Sequence, residues 1–80
     1  MSLAEKFIVV PFTETRKRLT VGEMRPSSSA AAAEKLAHAM SARFAGVAAY
    51  SVKVDTESGD MMDPKLITQF GNTFDIMADA

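Results

Sequence analysis

The chain has 80 residues, a formal net charge of −1 and a hydrophobic content of 48%. That length admits one domain with a thin core, burying about 60% of its unfolded surface, and so much apolar side chain excludes a disordered polypeptide. No apolar run approaches the roughly 20 residues of a membrane helix, the N-terminus does not resemble a signal peptide, and the absence of cysteine excludes disulfides, thiol nucleophiles and thiolate metal sites, which suits a reducing cytoplasm.

The charge is unevenly placed. Residues 1–53 carry eight Lys/Arg against four Asp/Glu, a balance of +4, and residues 54–80 carry one Lys against six Asp/Glu, a balance of −5. Such asymmetry can mark a basic binding face with an acidic tail. Packing of the two halves together, with partial cancellation of their fields, is the simpler reading.

The first element is a strand over "KFIVVPF", Lys6–Phe12. Its apolar residues do not alternate, which predicts burial on both faces: Phe7, Val9 and Pro11 on one, Ile8, Val10 and Phe12 on the other. Pro11 cannot donate to a ladder, so it belongs at a strand end, an edge or a bulge. "TETRKR", Thr13–Arg18, is polar and is expected to leave the sheet. "LTVGEM", Leu19–Met24, alternates and reads as a short second strand, weakened by Gly22.

"PSSSAAAAEKLAHAMSARFAG", residues 26–46, reads as a helix and not as a linker. A serine hydroxyl after Pro26 can accept from the free amides of a first turn, and four alanines follow. Ala33, Leu36, Ala37, Met40, Phe44 and Val47 cover about 100° of arc at helical spacing, a coherent apolar stripe. The predicted helix runs from Ser28 to Ala45, with Arg43 in its last turn and Gly46 as a left-handed C-cap. Its alanines allow close approach to a sheet.

"VAAYSVKVD", Val47–Asp55, is an alternating strand, with Ala48, Tyr50, Val52 and Val54 on one face and Ala49, Ser51, Lys53 and Asp55 on a wetter one. "DTESGD", Asp55–Asp60, is a turn in which Gly59 can take positive φ. "PKLITQFG", Pro64–Gly71, returns as a hairpin strand. The tail, Asn72–Ala80, either docks as a short helical turn or frays. The predicted fold is α+β, in the order β-(β)-α-β-β: a small, mainly antiparallel sheet with one helix on one face, in a single domain over 1–80 with 1–5 and 75–80 open to disorder.

"FIVVPF", "GE" followed by "PSSSAAAAEKLA", and "AGVAAYSVKVDTESGDMMDPKLITQFGN" together resemble a group of short uncharacterised bacterial proteins. The group's marks are a Val-rich strand ending Pro-Phe, an Ala-rich helix, an Ala-Gly-x-x-Ala approach to a strand, a Thr/Glu-x-Gly turn and a strand ending Phe-Gly. The likeness spans Phe7 to Gly71. "RKRL" and "VKV" are more basic here than the group's pattern. The resemblance implies the fold and a bacterial cytoplasmic origin, and no activity.

Catalytic chemistry has little to work with. His38 is the sole histidine and lies about 150° from the centre of the apolar stripe, in solvent, where Glu34 can pair with it across one helical turn. A two-histidine metal site is excluded. Asp55, Glu57, Asp60 and Asp63 cluster in the hairpin, but a calcium loop counted from Asp55 would need an acid at Gly59, a glycine at Asp60 and a glutamate at Leu66. The four glycines are scattered, so no phosphate loop exists. No catalytic residue, metal or cofactor is expected, and the chain is not expected to be an enzyme.

One helix covers only one sheet face, so the other needs the tail or another molecule. The expected function is a non-catalytic protein-interaction module, homodimeric or bound to another protein, with Ala49, Ser51 and Lys53 on the candidate interface. The alternative is weak nucleic-acid binding through Arg16, Lys17, Arg18 and Arg25, which could project together and touch phosphates.

Overall fold

The structure, a computed structural model, describes residues 3–73. Strand β1 (Leu3–Thr15) is followed by β2 (Arg18–Val21), β3 (Arg25–Ser27), helix α1 (Ala30–Met40), β4 (Gly46–Asp55) and β5 (Met61–Gly71). The sheet is antiparallel, in the order β2-β1-β4-β5, and β3 pairs with β1 beyond β2. This is the α+β arrangement expected, with an added short strand. The tail from residue 74 onward, with the question of its docking, lies outside the described residues. Leu3–Glu5, left open to disorder on sequence grounds, is part of β1 and faces Lys53–Asp55 across the ladder.

Strand β1 runs further than its apolar run because pairing, not hydrophobicity, sets its ends. It opposes β4 in an unbroken register from Leu3↔Asp55 to Phe12↔Gly46. Past Phe12 it continues against β2 alone, to Thr15↔Arg18. "TETRKR" therefore does not leave the sheet. It supplies the end of one strand, a two-residue turn and the start of the next.

Pro11 sits mid-strand without loss. Its carbonyl accepts from the Gly22 amide at 2.8 Å. A strand residue's N and O point to the same side, so the missing N–H also faces the β2/β3 side. There the ladder is interrupted anyway, because Gly22–Met24 separates β2 from β3. The second strand consequently ends at Val21 and does not reach Met24.

Ser29 is the N-cap of α1, with extended backbone (φ −157°, ψ 168°), and its hydroxyl accepts from the Ala32 amide at 3.1 Å. The helix stops five residues before Ala45. The Ser41 hydroxyl donates to the His38 carbonyl at 2.6 Å, and Arg43 N–H bonds Met40 at 2.9 Å, one residue tighter than a helix requires. Arg43 thus lies beyond the helix. Gly46 is no C-cap: it opens β4, and a Cβ there would collide with the Asn72 carbonyl oxygen.

Two apolar clusters sandwich the sheet. On the helix side Val9, Val47 and Ala49 pack with Ala33, Ala37 and Met40, and Phe7, Leu36, Phe44, Ile67 and Phe70 surround them. On the other side Ile8, Val10, Phe12, Ala48 and Tyr50 form the second cluster, with Leu19 against it. The helix therefore meets the Phe7/Val9 side of β1. Strand β5 carries two register shifts against β4, between Ala49 and Tyr50 and between Ser51 and Lys53. The first leaves Ile67 as the extra residue between Leu66 and Thr68, the partners of Tyr50 and Ala49, and Ile67 reaches the helix-side cluster.

Replacing Gly46 by Ala is expected to lower unfolding stability by about 2 kcal/mol or more, because the backbone at Asn72 must move to admit a methyl group. Urea titration of the two proteins checks this, and a midpoint equal to that of the unaltered chain would contradict the close approach.

Candidate functional site

The β1–β2 hairpin carries the basic run. Arg16 and Lys17 are the two central residues of the turn, with φ of 52° and 67°. Positive φ at both positions is the type I′ pattern, which matches the twist of the flanking strands and favours Asn-Gly. A side chain held in the left-handed region costs roughly 1–2 kcal/mol per residue. The tip is therefore strained by its own composition. Register across the ribbon is fixed by Thr13 and Thr20, whose hydroxyls are 2.9 Å apart, and Thr20 also donates to the Thr13 carbonyl at 3.3 Å.

Thr15, Arg16, Arg18 and Thr20 line an open concavity of about 580 Å³. Thr13 faces Thr20 and Thr15 faces Arg18, so these four share one face of the ribbon, while Glu14 and Leu19 share the other. Among the described residues, no salt bridge ties Arg16, Lys17 or Arg18 to an acid.

Arg25 does not join them. It lies on β3 opposite Val9, six residues along β1 from Thr15, which is about 20 Å at strand rise. There it lines a separate groove of about 280 Å³ with Leu36, Ala39, Met40, Arg43 and Phe44. Proximity in sequence misled because β3, which carries Arg25, folds back along β1 toward the helix.

The expected interface residues lie on the opposite face from the one assigned to them. Ala49 is fully buried in the helix-side cluster, Ser51 is half-buried, and Lys53 is exposed past the helix. The face away from the helix belongs instead to Ala48, Tyr50, Val52 and Val54. A helix with Ala33 and Ala37 at its contact needs a small residue beneath it, and Ala49 supplies one where Tyr50 would not. Lys53 makes only a 3.9 Å contact with Asp63, both side chains being largely exposed, which is worth little.

Exposed apolar side chains gather on that other face. Val54 lies between Ala4 and Met61, and Tyr50 lies beside Leu66, so all five point the same way. Met61 is 55% exposed and Leu66 50%. The sequence concealed Leu66 and Met61 because the two bulges in β5 break the alternation that would have assigned them a face.

His38 is exposed but not isolated, its ring meeting Phe70 edge-on with centroids 5.6 Å apart. With Glu34, Lys35, Thr68 and Phe70 it lines a shallow concavity of about 410 Å³. Asp55 shapes its own turn: its carboxylate accepts from the Glu57 amide at 2.9 Å and the Ser58 amide at 3.4 Å, and Gly59, at φ 78°, closes on the Asp55 carbonyl at 2.7 Å. Among the described residues no group of three His, Asp or Glu side chains is placed to hold a metal ion, and no helix is long and apolar enough to cross a membrane.

Family models, curated proteins and solved structures were all compared with the chain, and none matches.

Replacing Arg16-Lys17 by Asn-Gly is expected to stabilise the fold by about 1 kcal/mol or more, roughly 4–8 °C in Tm for a domain of this size. Calorimetry of R16N/K17G checks the turn geometry. A lowered Tm would mean that the turn is not the one described.

Proposed function

We propose that the chain is a non-catalytic interaction module that self-associates as a homodimer through the sheet face opposite the helix, at the end formed by Ala4, Val54, Met61 and Leu66. The observation that carries this reading is the exposure of Met61 and Leu66 on one face, continuous with buried Val52 and Tyr50. Large apolar side chains grouped at the rim of a buried sheet cluster favour contact with another apolar surface.

A second copy is the occupant that the geometry favours. Lys6 lies on the same face, opposite Val52, and the acidic β4–β5 turn with Glu57 and Asp60 lies beyond Val54. In a two-fold contact the lysine of one copy can meet the acids of the other, as an isologous interface requires. An interface of standard size takes about 800 Å² from each partner, and a chain whose two longer extents are 43 and 26 Å has room for one such contact on a face. Among the described residues only Met61 and Leu66 are large apolar side chains left exposed at that end of the face, so the dimer is weak, with a Kd on the order of micromolar.

Edge-to-edge pairing is a poorer route. Strand β5 is blunted by Pro64, by two bulges and by Asp63 at φ 51°, all of which disfavour a further strand. A cysteine-free chain suits the cytoplasm.

Sedimentation equilibrium over a range of protein concentrations tests the reading. We expect a monomer–dimer equilibrium with little salt dependence, shifted to monomer in M61E/L66E. A chain that stays monomeric up to about millimolar concentration, or a double variant that dimerises as well as the original, would refute the proposed face.

A further inference from the structure

We infer that the β1–β2 hairpin is a DNA-binding ribbon, which enters the major groove of a B-form duplex and sets Arg16, Lys17 and Arg18 against its phosphates. This inference does not depend on the dimer, because the hairpin and the apolar patch lie at different places on the sheet.

Shape is the first support. Beyond Phe12↔Gly46 the ribbon has no β4 beside it, and β2 contacts no other described helix or strand than β1. Three residue pairs and the turn project past the sheet, a reach of about 10 Å at strand rise. The major groove is about 12 Å wide and about 8.5 Å deep, and it admits a two-stranded ribbon. The deep, narrow major groove of an A-form RNA helix does not.

Chemistry is the second. Glu14, Thr15, Arg16, Lys17, Arg18 and Thr20 are all exposed. Glu14, the only acid on the ribbon, is turned to the opposite face from Thr13, Thr15, Arg18 and Thr20. The face left to the nucleic acid offers hydroxyls and a guanidinium, groups that donate to phosphate oxygens and to base edges. Aromatic side chains are missing from the projecting part. That disfavours a single strand, whose bases need rings to stack on.

Strain is the third. Arg16 and Lys17 occupy left-handed backbone where Asn-Gly would cost less. Residues held against their backbone preference concentrate where a function needs their side chains. Here the side chains are two cations at the turn of the projecting hairpin, beside a third.

Fluorescence anisotropy of the full chain with a labelled mixed-sequence DNA duplex of about two helical turns tests this, with single-stranded DNA and duplex RNA of equal length alongside. With about three phosphates neutralised, affinity for the DNA duplex should fall about 40-fold between 50 and 200 mM salt. R16N/K17G keeps the turn and removes two charges. It should raise Tm while weakening duplex binding at low salt by about tenfold or more, with the slope of log K against log salt reduced to about −1. Undiminished binding by R16N/K17G would overturn the inference. So would the absence of duplex binding at about 50 mM salt, or equal or tighter binding of the single strand or of duplex RNA.

Discussion

The ladder between β1 and β4 holds the molecule together. Its register is unbroken from Leu3↔Asp55 to Phe12↔Gly46, and every other element attaches to one of these two strands. Pairing at that length fixes which side chains share a face, since a slip of one residue would turn one strand over against the other. Val9 and Ala49 are thereby committed to one layer and Ile8 and Tyr50 to the other. The helix, the bulged β5 and the hairpin are accommodated to that commitment.

Pro11 shows how tightly the surroundings fit this ladder. A proline in a central strand normally leaves a partner unsatisfied. Here its blank side coincides with the gap between β2 and β3, and its carbonyl is still used by Gly22. The gap in turn lets β2 continue outward with β1 while β3 returns toward the helix. One imino acid thus marks the point where the sheet divides into a core and a projecting ribbon. The ribbon carries the basic residues; the core carries, on its far face, the exposed apolar ones. The two candidate surfaces are separated because these two parts of β1 have different neighbours.

Much of the fold was legible in the sequence. The serine run before four alanines, the stripe through Ala33, Ala37 and Met40, and the glycine at position 59 all act within a few residues of chain. Capping, helical period and positive φ are local constraints, and local sequence expresses them. The candidate sites were less legible. Arg25 was grouped with Arg16–Arg18 because it is close in sequence, and the return of β3 along β1 separates them. Ala49 and its neighbours read as a wet face because they alternate with bulkier residues, whereas a helix of alanines prefers small residues beneath it. Leu66 and Met61 gave no signal, since a bulge shifts the alternation without announcing itself.

By itself, then, the sequence determined a helix entered from the serine run before the four alanines, two strands on either side of a Gly59 turn, a β1 apolar on both faces, and the absence of thiol chemistry. Tertiary structure decided which sheet face the helix covers, where β1 and α1 end, and that Arg16-Lys17 forms a strained turn at a projecting tip. The division follows range. Propensity, capping and period act over three or four residues, whereas strand ends, faces and turn type are set by partners many residues away, such as Val21 for Phe12 and Asn72 for Gly46.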